Sequence, residues 1–145
     1  MNGSTERAVG WGILPIRLVI GLVFAMHGGQ KLFVYGAGGT AMAMAHMGIP
    51  LPVVAAWVAI IVEFIGGLAV FFGVWARWPA TLLAIEMLIV ILFVKLHGGF
   101  FAPRGIELEL TLLAGALTIA ALGTGPASLA PGKRAAAPAD ASASP

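Results

Sequence analysis

The sequence predicts an all-α integral membrane protein: an antiparallel four-helix bundle with spans at about 11–33, 51–74, 79–96 and 106–122. Three observations carry this. Hydrophobic residues make up 60% of the 145 and charged residues only 10%, against roughly 45–50% and 25% in soluble domains. Mean hydropathy is +1.01, so there is too little polar sequence to cover a soluble globule. Apolar runs of about 20 residues, the length a helix needs to cross hydrocarbon, recur four times between turn-forming clusters.

Each element has local grounds. The first span opens near Trp11 and carries Pro15 close to its start, where a missing N–H is tolerated. A glycine-rich stretch, Val34-Tyr35-Gly36-Ala37-Gly38-Gly39, then leads to a short interfacial helix expected around 40–47. Pro50 and Pro52 open the second span. Trp75-Ala76-Arg77-Trp78 separates the second and third spans. That loop is short enough to force an antiparallel hairpin, and its two indoles suit a membrane interface. Pro79 stands where proline begins a helix well. The fourth span stops at Gly123-Thr124-Gly125-Pro126, a strong breaker.

Residues 1–10 are expected to form a cytoplasmic segment, 11–130 the transmembrane domain, and 131–145, dominated by Ala, Pro and Ser, a disordered tail. No cleavable signal peptide is expected, because the first apolar run is too long, contains Arg17 and lacks a clear small-residue cleavage site. Arg7, Arg77, Lys133 and Arg134 share the side of the termini, against Lys31, Lys95 and Arg104 opposite. This slight bias places both termini in the cytoplasm.

Composition also excludes. A formal charge of +2, scattered along the chain, gives no basis for nucleic-acid binding. The absence of cysteine rules out disulfides, thiolate metal sites and direct thiol redox chemistry, so any redox role needs a borrowed cofactor. Serine occurs only at Ser4 and beyond Gly125, which leaves no serine-nucleophile constellation. The three histidines contain no close pair such as HxxxH or HExxH, and no metal site is expected.

What remains is the charge inside the spans. Arg17, Glu63 and Glu86 interrupt otherwise apolar helices, and such residues normally face a bundle interior, pair with one another, and mark a pathway or site. At 1.5 Å per residue, Arg17 lies roughly 9 Å deep, Glu63 about 17 Å and Glu86 about 11 Å. An Arg17–Glu63 or Arg17–Glu86 ion pair is therefore expected, and Glu63→Gln is expected to strand Arg17. One reading makes this a purely structural pin for helix packing; the other makes one carboxylate a proton relay. Glu86 is the candidate for the acid left over.

A second polar group collects at the opposite, outer end: His27, Gln30 and Lys31, His46, Lys95 with His97, then Glu107 and Glu109. His27 and Lys31, four apart, share a helix face. Snorkelling and the helix dipole account for Lys95 and Glu109. His27, Lys31, His97 and Glu107 are the candidates for an outer-face cluster. Gly21, Gly28-Gly29 and Gly66-Gly67 are the expected points of close helix approach.

These residues together resemble the DoxX family of small four-helix membrane proteins. The resemblance is carried by Arg17-x-x-x-Gly21-x-x-Phe24-x-x-His27-Gly28-x-x-Lys31, the entry Gly48-Ile49-Pro50, and Glu63-x-x-Gly66-Gly67-x-x-x-x-x-x-Gly73-x-x-x-Arg77. His97-Gly98-Gly99-Phe100, Glu107 and the ending Gly123-x-Gly125-x-x-Ser128-Leu129 complete it, over roughly residues 13–130. It implies a multi-pass protein of the bacterial inner membrane with cytoplasmic termini, acting as a small subunit or partner of oxidoreductase systems, including quinone-coupled ones. The family pattern selects Arg17, His27, Lys31, Glu63, His97 and Glu107. Glu86 departs from the usual apolar third span, and Ser128-Leu129-Ala130 lacks the acid often found there.

The first functional expectation is thus a membrane component of an oxidoreductase assembly. It has no intrinsic cofactor; His27 and Lys31 hydrogen-bond a quinone carbonyl, and Glu63 exchanges protons. A small proton-coupled transporter working as a homo-oligomer is the second, and a non-catalytic assembly protein the third.

Overall fold

A chain this apolar has to satisfy its backbone groups within each segment, because hydrocarbon offers no hydrogen bonds. The computed structural model describes residues 3–101, 104–125 and 127–129, with side chains from residue 10 onward; the Ala/Pro/Ser tail lies outside the described residues. Among them are five α-helices and no strand: α1 Gly3–Gly29, α2 Gly36–His46, α3 Pro52–Phe72, α4 Arg77–Ile89 and α5 Glu107–Leu122. α1 widens at its end into a π-helical turn, Gln30–Val34, and α4 into another, Val90–Lys95, followed by a 3-10 turn, Leu96–Gly98.

Three stretches are long and apolar enough to cross a membrane: Gly10–Val34, Pro52–Phe72 and Arg77–Gly98. They coincide with the first three expected spans. The fourth coincides with α5, whose 16 residues reach about 24 Å. α1 starts at Gly3, ahead of the expected span, so Pro15 lies inside a helix rather than at its mouth. It is exposed there, on the outer side of α1. α2 begins at Gly36, earlier than expected, because Gly36 at φ +70° turns the chain sharply enough to start a new helix at once.

Glycine sets the register of α1 on α3. A Cβ on Gly21 would lie 2.5 Å from the Phe71 nitrogen, and one on Gly67 would lie 2.9 Å from the Ala25 Cα. A Cβ on Gly28 would strike the backbone of Phe64. The two helices therefore run antiparallel in backbone contact, as small-residue interfaces allow in lipid. Gly66 packs α3 on Pro79 and Leu83 of α4. Gly115 meets Ile16 and Ile20, and Gly125 meets Gly10, so α5 runs antiparallel to α1. The core at the centre includes Ile20, Phe24, Val70, Leu83, Met87, Leu112 and Ile119.

α3 ends in a Schellman motif. Gly73 at φ +73° donates to the Val70 carbonyl at 3.1 Å, and Val74 donates to Ala69 at 2.8 Å. Beyond α5 the chain folds back over this end: Leu129 N–H donates to the Phe72 carbonyl at 3.1 Å, and Arg77 Nη2 donates to the Ala121 carbonyl at 2.9 Å.

Candidate functional site

The π-helical turn after α1 carries Lys31 inward, where its ammonium pairs with the carboxylate of Glu63. Glu63 is 5% exposed, on the buried face of α3. It stands near the middle of Pro52–Phe72, whereas Lys31 lies near the end of Gly10–Val34. Lys31, expected in the outer-face group, thus pairs with an acid expected in the intramembrane group. The Gly28–Phe64 contact brings α1 to the level of Glu63, and α2 packs along the remainder of α3.

Glu86 comes from α4, four residues before that helix also opens into a π turn. It lies within electrostatic reach of both Glu63 and Lys31. Its Oε2 is buried and has no hydrogen-bond partner. One lysine and two carboxylates thus meet inside the bundle. Both lysines that form ion pairs sit in π turns, a rare local geometry that often marks functional positions. The second is Lys95, whose Nζ lies 2.6 Å from Oε1 of Glu109, 8% exposed on α5. These two side chains answer each other directly rather than snorkelling and capping separately.

The expected pairing of Arg17 with Glu63 or Glu86 does not occur. Fourteen residues separate Arg17 from Lys31 on one helix, about 21 Å along its axis. Arg17, 2% exposed, instead donates from Nη1 to the Thr124 carbonyl and from Nη2 to the Ala127 carbonyl. A cation at the C-terminal end of α5 also matches that helix's dipole. Glu63→Gln accordingly leaves Arg17 untouched. Arg17→Met is expected to cost about 3 kcal/mol, since hydrogen bonds from a charged donor are worth roughly 1.5–3 kcal/mol each. Hydrogen exchange should then accelerate in residues 124–129, and unchanged protection there would refute this role.

His27 occupies the same face of α1 as Ile16 and Ile20, which pack against Gly115 of α5. Ile20 is buried at 6% exposure, whereas His27, two turns further on, is exposed. His27 thus lies outside the packed core, one turn before Lys31. His97 is exposed in the 3-10 turn, His46 is exposed at the end of α2, and Glu107 begins α5, half-buried. The cluster expected from sequence is thus divided: Lys31 joins Glu63 and Glu86, while His97 and Glu107 stay at the ends of their elements.

A model of the DoxX family matches residues 12–96. The chain belongs to the DoxX family. It is also 33% identical over 124 residues to the protein named "Putative oxidoreductase CatD" of Bacillus subtilis (strain 168), an alignment covering 86% of this chain and 85% of that one. No solved structure matches it. The part matched as DoxX runs from within α1 through α4, and includes Arg17, His27, Lys31, Glu63 and Glu86. His97, Glu107 and α5 lie beyond it. The resemblance read from the sequence thus holds for the family, and this DoxX protein keeps all three members of its intramembrane trio within the matched segment.

Proposed function

We propose that this DoxX protein is a four-span subunit or partner of a quinone-linked oxidoreductase system in the bacterial inner membrane, with both termini cytoplasmic. The observation that supports the reading is the Lys31–Glu63 ion pair inside the bundle, with Glu86 within electrostatic reach of both. A lipid-dissolved headgroup with carbonyl oxygens meets two kinds of donor there, the Lys31 ammonium and the His27 ring, one turn apart on one helix face. The unpartnered Oε2 of Glu86 supplies an acceptor for a hydroxyl of the reduced, quinol form. These residues fit a quinone. Such a group, when bound, supplies two-electron, two-proton chemistry; the chain itself binds and orients it, keeps bulk water out and holds a proton. The name of the Bacillus relative points the same way. With no cysteine in the chain, electrons have to come from a partner or from the quinone.

The test is mass spectrometry of the proteins that co-purify with the chain from gently solubilised native membranes. A stoichiometric oxidoreductase subunit is the expected result. Recovery of the chain alone, or only with further copies of itself, would favour a proton-coupled transporter instead.

A further inference from the structure

We propose that a groove between α3 and α4 holds the hydrocarbon tail of an isoprenoid quinol, with a ring hydroxyl at Glu86 and the end of the tail at Trp75 and Trp78. The proposal rests on the quinone reading above and adds where the molecule lies on the chain.

A cavity of about 320 Å³ runs between the two helices. α3 lines one side from Ile61 to Ala69, and Pro79 and Leu82 of α4 line the other. Trp75 and Trp78 stand at the end where the hairpin joins the helices. The small residues of the α3 wall, Gly66 and Ala69, leave the space. No charged or hydroxyl side chain lines it. Ile61, Ile65 and Leu82 are more than a third exposed, so the groove opens along the outer side of the helix pair. Its volume is at the low end of the roughly 300–1,000 Å³ of small-molecule sites. Such walls suit a hydrocarbon chain and offer nothing to a polar headgroup.

The polar group lies one turn further on. Pro79, Leu82 and Glu86 are spaced i, i+3 and i+7, a single stripe of α4. Glu86 is outside the cavity wall, about 6 Å along the axis from Leu82. Helical side chains lean toward the N-terminus of their helix, which brings the Glu86 carboxyl back over the turn of Leu82. Its Oε2 is buried and no donor reaches it. The stripe thus runs from the indoles, along apolar walls, to a hydrogen-bond acceptor in want of a donor.

Charge selects the occupant. A phosphate headgroup at Glu86 would meet two acids, Glu86 and Glu63, and the lysine near them is held by Glu63. At the other end Arg77, the one cation of the hairpin, donates to the Ala121 carbonyl of α5 and so turns away from α3. Neither end offers a phospholipid its counter-charge. A neutral ring hydroxyl donates to Glu86 at no such cost.

Photolabelling of the full chain in oxygen-free liposomes tests the placement. Two probes are used, each a benzoquinol with a farnesyl tail, one carrying a diazirine beside the ring and the other at the end of the tail. Peptide mass spectrometry is expected to find the ring probe's adducts within residues 82–90 and the tail probe's within 74–78. Excess long-tailed quinol without a diazirine should suppress both, and excess phosphatidylglycerol should suppress neither. Ala69→Phe, which fills the groove, should lower the tail adducts by about ten-fold or more, the scale of one misfitting apolar group in a pocket. Leu68→Phe, on an exposed residue outside the groove, should not. Adducts in the reverse order, equal suppression by phosphatidylglycerol, or full labelling of an Ala69→Phe variant that melts like the parent would overturn the proposal. Saturable labelling confined to other surfaces would overturn the groove and leave the quinone reading standing. No saturable labelling anywhere would overturn both.

Discussion

Replacing Lys31 with methionine is expected to destabilise the protein by about 3–5 kcal/mol, the usual result of removing one partner from a buried ion pair. Glu63 is the reason. At 5% exposure it is largely withdrawn from water, and among the described residues the charged group left close to it is Glu86, a second acid. Thermal unfolding in mild detergent measures the effect. The companion experiment removes both ends of the pair: Lys31→Met with Glu63→Met should recover most of the loss, because an apolar pair of similar volume often serves as well as a buried salt bridge. A melting temperature unmoved by Lys31→Met would sink the pairing. Arg17 offers an internal comparison, since its partners are carbonyls and no second substitution on α3 should rescue its loss.

Gly67→Val is expected to prevent α1 from docking on α3, with a cost above the roughly 1–3 kcal/mol of ordinary overpacking. At this position the atoms in the way are backbone: Ala25 Cα and the Gly21 carbonyl oxygen, both 2.9 Å from where the new Cβ would lie. Neither can rotate aside as a side chain would. Lys31 would then be carried away from Glu63, so the trio should be lost along with the interface. Size-exclusion profiles and limited proteolysis in detergent report the failure. Gly12→Ala supplies the control, because nothing lies within 4 Å of a Cβ there; it should be neutral, or stabilising by up to about 1 kcal/mol from helix propensity. If Gly67→Val purifies and melts like the parent, the close approach is not required.

The helices were legible because length and hydropathy decide them, and in lipid there are few competing structures. The hairpin at Trp75–Trp78 and the breaker after Leu122 were legible because short loops and glycine leave little freedom. The ion pairs were not. Depth counted along a single helix put Arg17 within a long side chain's reach of the acids, but the register that Gly28 and Gly67 impose sets Arg17 level with Gly73, not Glu63. Lys31 was placed at the outer surface because the first apolar run ends near it, whereas α1 hands over to α2 while α3 still has half its length to run. The π turns that bring Lys31 and Lys95 inward have no signature in the residues that form them, Gln30–Val34 and Val90–Lys95. Glu86 was visible as a surplus acid. Its neighbours, Lys31 and Glu63, needed the arrangement of α1, α3 and α4 together.

Arg17 ties the beginning of the chain to its end. A ribosome delivers this arginine early, inside the first apolar stretch, yet the carbonyls that receive it belong to Thr124 and Ala127, among the last described residues to be made. A chain cut short after α4 therefore lacks both acceptors of Arg17, and the first span's cation waits on the last part of the sequence for its partners.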